Sequence, residues 1–294
     1  MSYAWFLGCT IPARARNYEL SARKVAEALG IEFKDIGEFS CCGFPLKAIS
    51  QETTELIAAR NLALAEKSGA DLGVLCSACT SVLSEVAMQL KEDPEMLRHI
   101  NSQLKPLGLE YHGNVKIKHF TRMLYEDVGL DKIRAAVKRE LKGLAFAPHY
   151  GCHYLKPSEA YDGFDQVEAP QSIDKLIEVT GAQSVNYEDL KQCCGGGLLA
   201  IDKDVAMAMA NSKLKNVKAS GADAIVLVCP FCSVMYDDNQ KEIETLFETE
   251  YKIPVLYYPQ VLGLALGIDA KDLGLNMNRV KTKDLLSKLE AAPV

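Results

Sequence analysis

Ser68-Gly69-Ala70-Asp71-Leu72-Gly73-Val74-Leu75-Cys76-Ser77-Ala78-Cys79 has a second copy downstream: Ser220-Gly221-Ala222-Asp223-Ala224-Ile225-Val226-Leu227-Val228-Cys229-Pro230-Phe231-Cys232. In both copies a turn of small residues leads into a short, unbroken apolar run, and the run ends on the first cysteine of a Cys-x-x-Cys pair. Apolar runs of this length without polar alternation read as strands buried on both faces, as in a parallel sheet covered by helices. Each therefore delivers a thiol just beyond the carboxyl end of a strand, the edge of an open α/β sheet where ligands sit.

The repeat extends in both directions. Cysteines fall at Cys9, Cys41, Cys42, Cys76 and Cys79, and again at Cys152, Cys193, Cys194, Cys229 and Cys232, with Gly43 and Gly195 closing a Cys-Cys-Gly in each set. Matched positions are separated by 143, 152, 152, 153 and 153 residues, so the second half carries an insertion of nine residues after its first cysteine. Val115 to His119 followed by Phe120 to Val128 corresponds to Ile253 to Tyr257 followed by Tyr258 to Leu266, a strand and then a helix. Such self-similarity marks an internal duplication.

Further strands are expected at Ala4 to Gly8 and Leu144 to Ala147, each ending near a cysteine. Helical spacing links Leu56, Ala59, Leu62, Ala63 and Ala65, and likewise Val205, Met207, Ala208, Ala210 and Leu214. The expected fold class is α/β, with two duplicated, pseudo-symmetric domains, each having a small parallel sheet. The first spans 1–130 and the second 144–268, with a charged connecting helix over 131–143 and a polar tail over 269–294, docked or solvated.

With 48% apolar and 24% charged residues among 294, the chain can bury substantial cores. A net charge of -6 argues against nucleic acid or an anionic membrane surface as partner, since both recruit basic patches. The amino-terminal stretch Met1 to Leu7 lacks a basic start and long apolar core and reads as a strand rather than a signal peptide. Ile253 to Ile268 is the most apolar window, but Pro254, Pro259 and Gln260 interrupt it and a span needs about 20 residues. The expectation is a cytoplasmic protein with no direct membrane span. In that setting ten cysteines point to metal or redox use rather than to a disulfide framework.

Thiolates favour zinc, copper(I) or iron-sulfur clusters. A structural zinc site takes four ligands, so five cysteines per half is one too many, although either Cys-x-x-Cys alone suits zinc as well as iron. Vicinal cysteines diverge unless the backbone turns sharply, and a polynuclear cluster offers metal atoms in several directions to receive both. Gly43 and Gly195 to Gly197 free the chain for close approach. Zinc, and disulfides or free thiols, stay open as alternatives, and the common cubane signature C-x-x-C-x-x-C-x-x-x-C-P is absent.

The pattern Cys9, Cys41-Cys42-Gly43, Cys76-x-x-Cys79, repeated as Cys152, Cys193-Cys194-Gly195, Cys229-Pro230-x-Cys232, resembles the cysteine-rich CCG domain family. Within it the two complete motifs are most similar to the B-subunit branch of methanogen heterodisulfide reductases. The resemblance implies all ten cysteines as ligands of two noncubane 4Fe-4S clusters. It also implies two-electron reduction of the coenzyme M–coenzyme B mixed disulfide to two thiols in methanogenesis, with the disulfide between the clusters. The implied partners are the ferredoxin-like C component of a heterodisulfide reductase, its flavin-containing A component, and hydrogenase or formate dehydrogenase in a larger complex.

His153, beside Cys152, and His149 are the candidate proton donors, with a structural role in orienting the loop as the alternative for His153. Lys47, Lys156 and Arg14, with Arg16, are candidates for meeting substrate anions, against the plainer reading of the two lysines as solvated surface. His119, Trp5, Tyr150 and Tyr154 read as packing or shielding. Two other readings remain. One is a CCG-type electron-transfer subunit of a quinone- or thiol-linked succinate, glycolate, lactate or fumarate oxidoreductase; the other is a zinc-bound docking scaffold without catalysis.

Overall fold

In the computed structural model, which describes residues 2–291, the duplication is visible as two four-stranded parallel sheets. β1 (Ser2–Phe6), β2 (Glu32–Asp35), β3 (Asp71–Val74) and β4 (Ile117–His119) lie in the order β2-β1-β3-β4. β5 (Ala145–His149), β6 (Gln183–Ser184), β7 (Ala224–Leu227) and β8 (Val255–Tyr257) repeat it as β6-β5-β7-β8. In this order the chain leaves β1 and β3 toward opposite sides, which opens a crevice at their shared carboxyl edge. Register brings the two exits level, with Phe6 opposite Val74 and His149 opposite Leu227.

Helices cover both sheets, and local chemistry sets their limits. The helix Gln51–Ser68 starts where the Ser50 side chain accepts from the Thr53 N–H and stops at Gly69 in the left-handed conformation. Its counterpart Lys203–Ala219 starts under the Asp202 carboxylate, which accepts from the Val205 N–H. The face it buries is Ala206, Met207, Ala210, Lys213, Leu214 and Val217, whereas Val205 and Ala208, which share the helical spacing in the sequence, face solvent. At about 100° per residue those six lie on one arc and Val205 and Ala208 on the far side, so a buried lysine takes a place in the stripe.

The connection between the halves is shorter than the helix expected over 131–143. Leu130–Ala136 is helical; Val137 then turns extended, and the N–H groups of Lys138 and Arg139 both go to the Ala265 carbonyl instead of continuing the helix. The polar tail is docked, its last three residues, 292–294, lying outside the described ones. Leu273 and Leu275 are buried, and Asn278 donates to the Val255 carbonyl while accepting from Asn17 and Gln260 at 3.0 and 3.1 Å. The halves also meet where Tyr18 stacks on Tyr257, rings 4.0 Å apart and 7° from parallel. Among the described residues no helix is long and apolar enough to cross a membrane, and the apolar window is β8 and the buried helix Tyr258–Ala265.

Candidate metal centre at the seam between the halves

Each cysteine is placed by a strand exit or a glycine turn. Cys9 follows β1 and caps the short helix Thr10–Arg14; Cys76 follows β3 and caps Ser77–Glu92, with Cys79 in its first turn. Cys229 and Cys232 occupy the matching places before and within Pro230–Ser233. The vicinal pairs sit in loops turned by Gly43 (φ 94°) and Gly195 (φ 83°), a conformation that suits glycine. Gly195 is also pressed on the neighbouring helix: a side-chain carbon there would lie 2.8 Å from the Ala206 carbonyl oxygen. The turn aims successive N–H groups at both sulfurs of each pair. Gly43 and Phe44 donate to Cys41 and Cys42, and Gly195 and Gly196 to Cys193 and Cys194, at 3.3–3.5 Å.

None of the ten cysteines is in a disulfide. Their thiols follow one another as neighbours in a continuous run, Cys9–Cys41–Cys42–Cys79–Cys76–Cys229–Cys232–Cys194–Cys193–Cys152, each perturbing the ionisation of the next. From its centre outward the same motif positions are met in each direction, so the run has a local pseudo-twofold axis between Cys76 and Cys229. Its centre is buried and its ends reach the surface. Neighbouring thiols push three members toward the thiolate form: Cys42 through Cys41 and Cys79, Cys193 through Cys152 and Cys194, and Cys229 through Cys232 and Cys76. Thiolate is the form that binds metal.

The inner rim is clasped across the seam. His119, at the end of β4, points Nε2 at the carbonyls of Leu75 and Val228, 3.0 and 2.8 Å away, the residues preceding Cys76 and Cys229. Its Nδ1 accepts from the Thr121 N–H, so Nε2 is the protonated nitrogen and the ring is neutral. Burial pushes its pKa down to about 4. The Val228 carbonyl also accepts from the Ser77 and Tyr18 hydroxyls.

The cysteine-rich domain model of the CCG family matches residues 3–84 and 146–237, one copy on each set of five. The chain belongs to the cysteine-rich CCG domain family. It is 38% identical over 97% of its length to the B subunit of a ferredoxin:CoB-CoM heterodisulfide reductase of Methanosarcina mazei, covering 95% of that protein. It is 32% identical over 96% of its length to an 8-methylmenaquinol:fumarate reductase membrane anchor subunit of Wolinella succinogenes, covering 98% of it. The fold is shared with a hypothetical protein from Helicobacter pylori, at a TM-score of 0.76 and 18% identity over 95% of this chain and 52% of that one.

Within the CCG frame the nine-residue insertion lies over the opposite half. The segment in which it falls begins with His153, whose Nδ1 is 3.0 Å from Cys152 Sγ and whose ring meets Phe44, beside the first half's cysteine pair, edge-on at 5.0 Å. Burial lowers its pKa. His153 lines a small cavity with Ser77, Thr80, His119, Arg122 and Tyr161. His149 is sealed behind the second set, and burial, then the Lys213 charge, pushes its pKa down to about 3. Lys47 is paired with Glu85 at 2.5 Å; Lys156, Arg14 and Arg16 are exposed. Arg14 lines a surface groove of about 1160 Å³, which no cysteine lines. Trp5 stacks on Phe33 in the core, the Tyr150 hydroxyl accepts from the Ile173 N–H, and Tyr154 is buried.

Three residues gain weight from the structure. His119, expected as packing, is the clasp. Arg122 stands in the cavity, mostly buried, over the Phe164 ring. Lys213 is hidden in an apolar helical stripe, and a lysine at that spacing is the sequence signal for it.

The donor set fits a polynuclear iron-sulfur group. Among the described residues no three His, Cys, Asp or Glu side chains converge on one ion-sized point. Each set of five is instead a succession of neighbours, in which each sulfur acts on the next. Gly8 and Gly151, both at positive φ before the first cysteine of their set, keep the sulfur side open: a side-chain carbon at Gly8 would stand 2.9 Å from Cys79 Sγ, and one at Gly151 3.8 Å from Cys232 Sγ.

Proposed function

We propose that this chain is the disulfide-reducing subunit of a heterodisulfide reductase-type complex, and that its substrate is the coenzyme M–coenzyme B mixed disulfide. Cys9, Cys41, Cys42, Cys76 and Cys79 would hold one noncubane 4Fe-4S cluster and Cys152, Cys193, Cys194, Cys229 and Cys232 the other. Bound there, the clusters would supply single electrons and Lewis-acidic iron for sulfur. The single observation carrying the reading is the symmetric meeting of the two sets at Cys76 and Cys229. A disulfide likewise has two equivalent reacting atoms, and cleaving it takes two electrons and two protons to give two thiols.

The chain's own residues then divide the remaining work. His119, Ser77 and Tyr18 lock the two inner loops at a fixed separation. His153, half-buried and 3.0 Å from Cys152 Sγ, would pass a proton taken up from solvent to a sulfur leaving at that end. Arg122 lines the same cavity of about 10 Å³ as His153 and is bonded to Glu126 at 3.0 Å, so to meet an anionic substrate tail it would have to leave that carboxylate as the cavity opens. Lys47, tied to Glu85, would have to break that pair to do the same. Electrons would arrive from partners: a ferredoxin-like C component fed by a flavin-containing A component, with hydrogenase or formate dehydrogenase behind them.

An anaerobic assay tests this. The cluster-loaded chain with its ferredoxin-like partner is mixed with the mixed disulfide and a reduced viologen dye, and thiols are counted. Two thiols per two electrons are expected. A fully loaded preparation that forms none favours the second reading, electron relay to a quinone- or fumarate-linked partner, which the similarity to the Wolinella protein supports.

A further inference from the structure

The two halves repeat in backbone and in cysteines, but not in what lies behind the cysteines. Behind the second set, three polar side chains are buried with polar atoms that have no hydrogen-bond partner: Lys213 Nζ, both ring nitrogens of His149, and the Tyr236 hydroxyl. Lys213 and His149 are each 1% exposed and Tyr236 is fully buried. Burying an unpaired ammonium is expensive unless something meets its charge. Asp189, the carboxylate acting on it, is engaged by the Asn216 amide at 2.9 Å and forms no ion pair with it. The Tyr187 ring face, 5.3 Å away, is a weak substitute.

What the three share is the second cysteine set. After Asp189, the groups that act on the Lys213 charge are Cys232, Cys194 and Cys193. Cys194 and Cys232 are the first ionisable groups acting on Tyr236, whose ring is met edge-on by His149 at 5.1 Å. His149 Nε2 and Cys232 Sγ both lie within 4 Å of the point a Gly151 side chain would occupy.

At the matching positions of the first half stand Asn61 for Lys213, Phe6 for His149 and Leu83 for Tyr236. Phe6 and Leu83 are apolar and fully buried. Asn61 is neutral and fully used: its amide donates to the Cys41 and Ile57 carbonyls and accepts from the Ser40 N–H. At these three positions the first half is thus apolar or satisfied, whereas the second has a cation and unsatisfied polar groups.

We propose that Lys213, with His149 and Tyr236, forms an electropositive back wall that makes the cluster of the second cysteine set the more easily reduced of the two. This rests on the cluster reading above. Net charge and hydrogen bonds to cluster sulfurs set such potentials, and a buried cation favours the state with one more electron. The duplicated site is thereby polarised: electrons entering at the first set run downhill to the second. Lys213, His149 and Tyr236 are positioning residues, acting on potential rather than touching substrate.

The test is an EPR-monitored redox titration of the iron-loaded protein, wild type against Lys213→Met, Lys213→Arg and Tyr236→Phe. Wild type should show two reduction steps. Lys213→Met should move the higher step at least tenfold toward the oxidised form, about 59 mV for one electron, with the lower step unmoved. Lys213→Arg should stay near wild type, and Tyr236→Phe should shift the same step in the same direction by less. Full iron content with both potentials unchanged in Lys213→Met overturns the inference. If Lys213→Met fails to fold, an unmoved step in Tyr236→Phe does so. A wild-type protein that takes up no iron overturns the cluster reading itself, and this inference with it.

Discussion

The clasp at His119 makes a quantitative prediction. Replacing it with phenylalanine keeps the ring but removes both nitrogens. The Leu75 carbonyl loses its side-chain donor, the Thr121 N–H loses its cap, and the Val228 carbonyl keeps only Ser77 and Tyr18. One orphaned buried carbonyl, one lost bond and one lost cap sum to about 2–4 kcal/mol. That corresponds to a melting point lower by about 3–6 °C for a chain of this size. The effect depends on pH, because the folded-state value of His119, about 4, lies below the unfolded one. The unfolded state binds the extra proton, so this contribution is complete above about 6.5 and is lost as pH falls toward 4. At pH 5.5 wild type has lost about 1.4 kcal/mol through this ring, a loss the variant cannot suffer. Anaerobic melting and urea titration of both proteins at pH 7.5 and 5.5 should therefore show the gap narrowing by about that amount on acidification. A gap under about 1 kcal/mol at pH 7.5, or one indifferent to pH, refutes the reasoning.

Gly8→Ala places a carbon 2.9 Å from Cys79 Sγ at positive φ, so iron per chain should fall to about half by colorimetric assay. Gly69→Ala, also at positive φ but with nothing within 4 Å, should keep full iron and lose only modest stability. Cys41→Ala or Cys194→Ala should each lower iron content and abolish turnover; unchanged loading in either would remove the vicinal pairs from the ligand set. His153→Gln should leave iron intact and slow thiol release by about 10²-fold. Asn278→Ala breaks the knot with Asn17, Gln260 and the Val255 carbonyl and should cost about 2–4 kcal/mol in a melt, without changing the iron count.

The two sheets, their parallel sense and the placing of thiols at strand exits are legible in the sequence because they rest on local pattern: apolar runs without alternation, glycine turns and cysteines repeated in step. What escapes reading depends on how the halves face one another. Nothing in the spacing of Cys76 and Cys229 says that they meet, since 153 residues separate them and only tertiary packing sets the pseudo-axis. His119 gives no sign of a clasp because its partners are backbone carbonyls, which every residue has. Apolar residues alone misplace the buried face of Lys203–Ala219, because the arc that packs on the core takes in Lys213 and leaves Val205 and Ala208 outside. Composition suggests a longer connecting helix, being indifferent to Ala265 drawing two N–H groups out of it.

The three side-chain donors to the Val228 carbonyl come from Tyr18, Ser77 and His119, which lie 210, 151 and 109 residues away along the chain. Contacts that distant offer a growing chain no reward until both lobes have been synthesised and have found each other, since the entropy of closing so long a loop must be met first. Kinetically the rim around Cys76 and Cys229 belongs to the last act of folding and the first of unfolding. The two outer cysteine pairs, each held within its own lobe, take shape earlier.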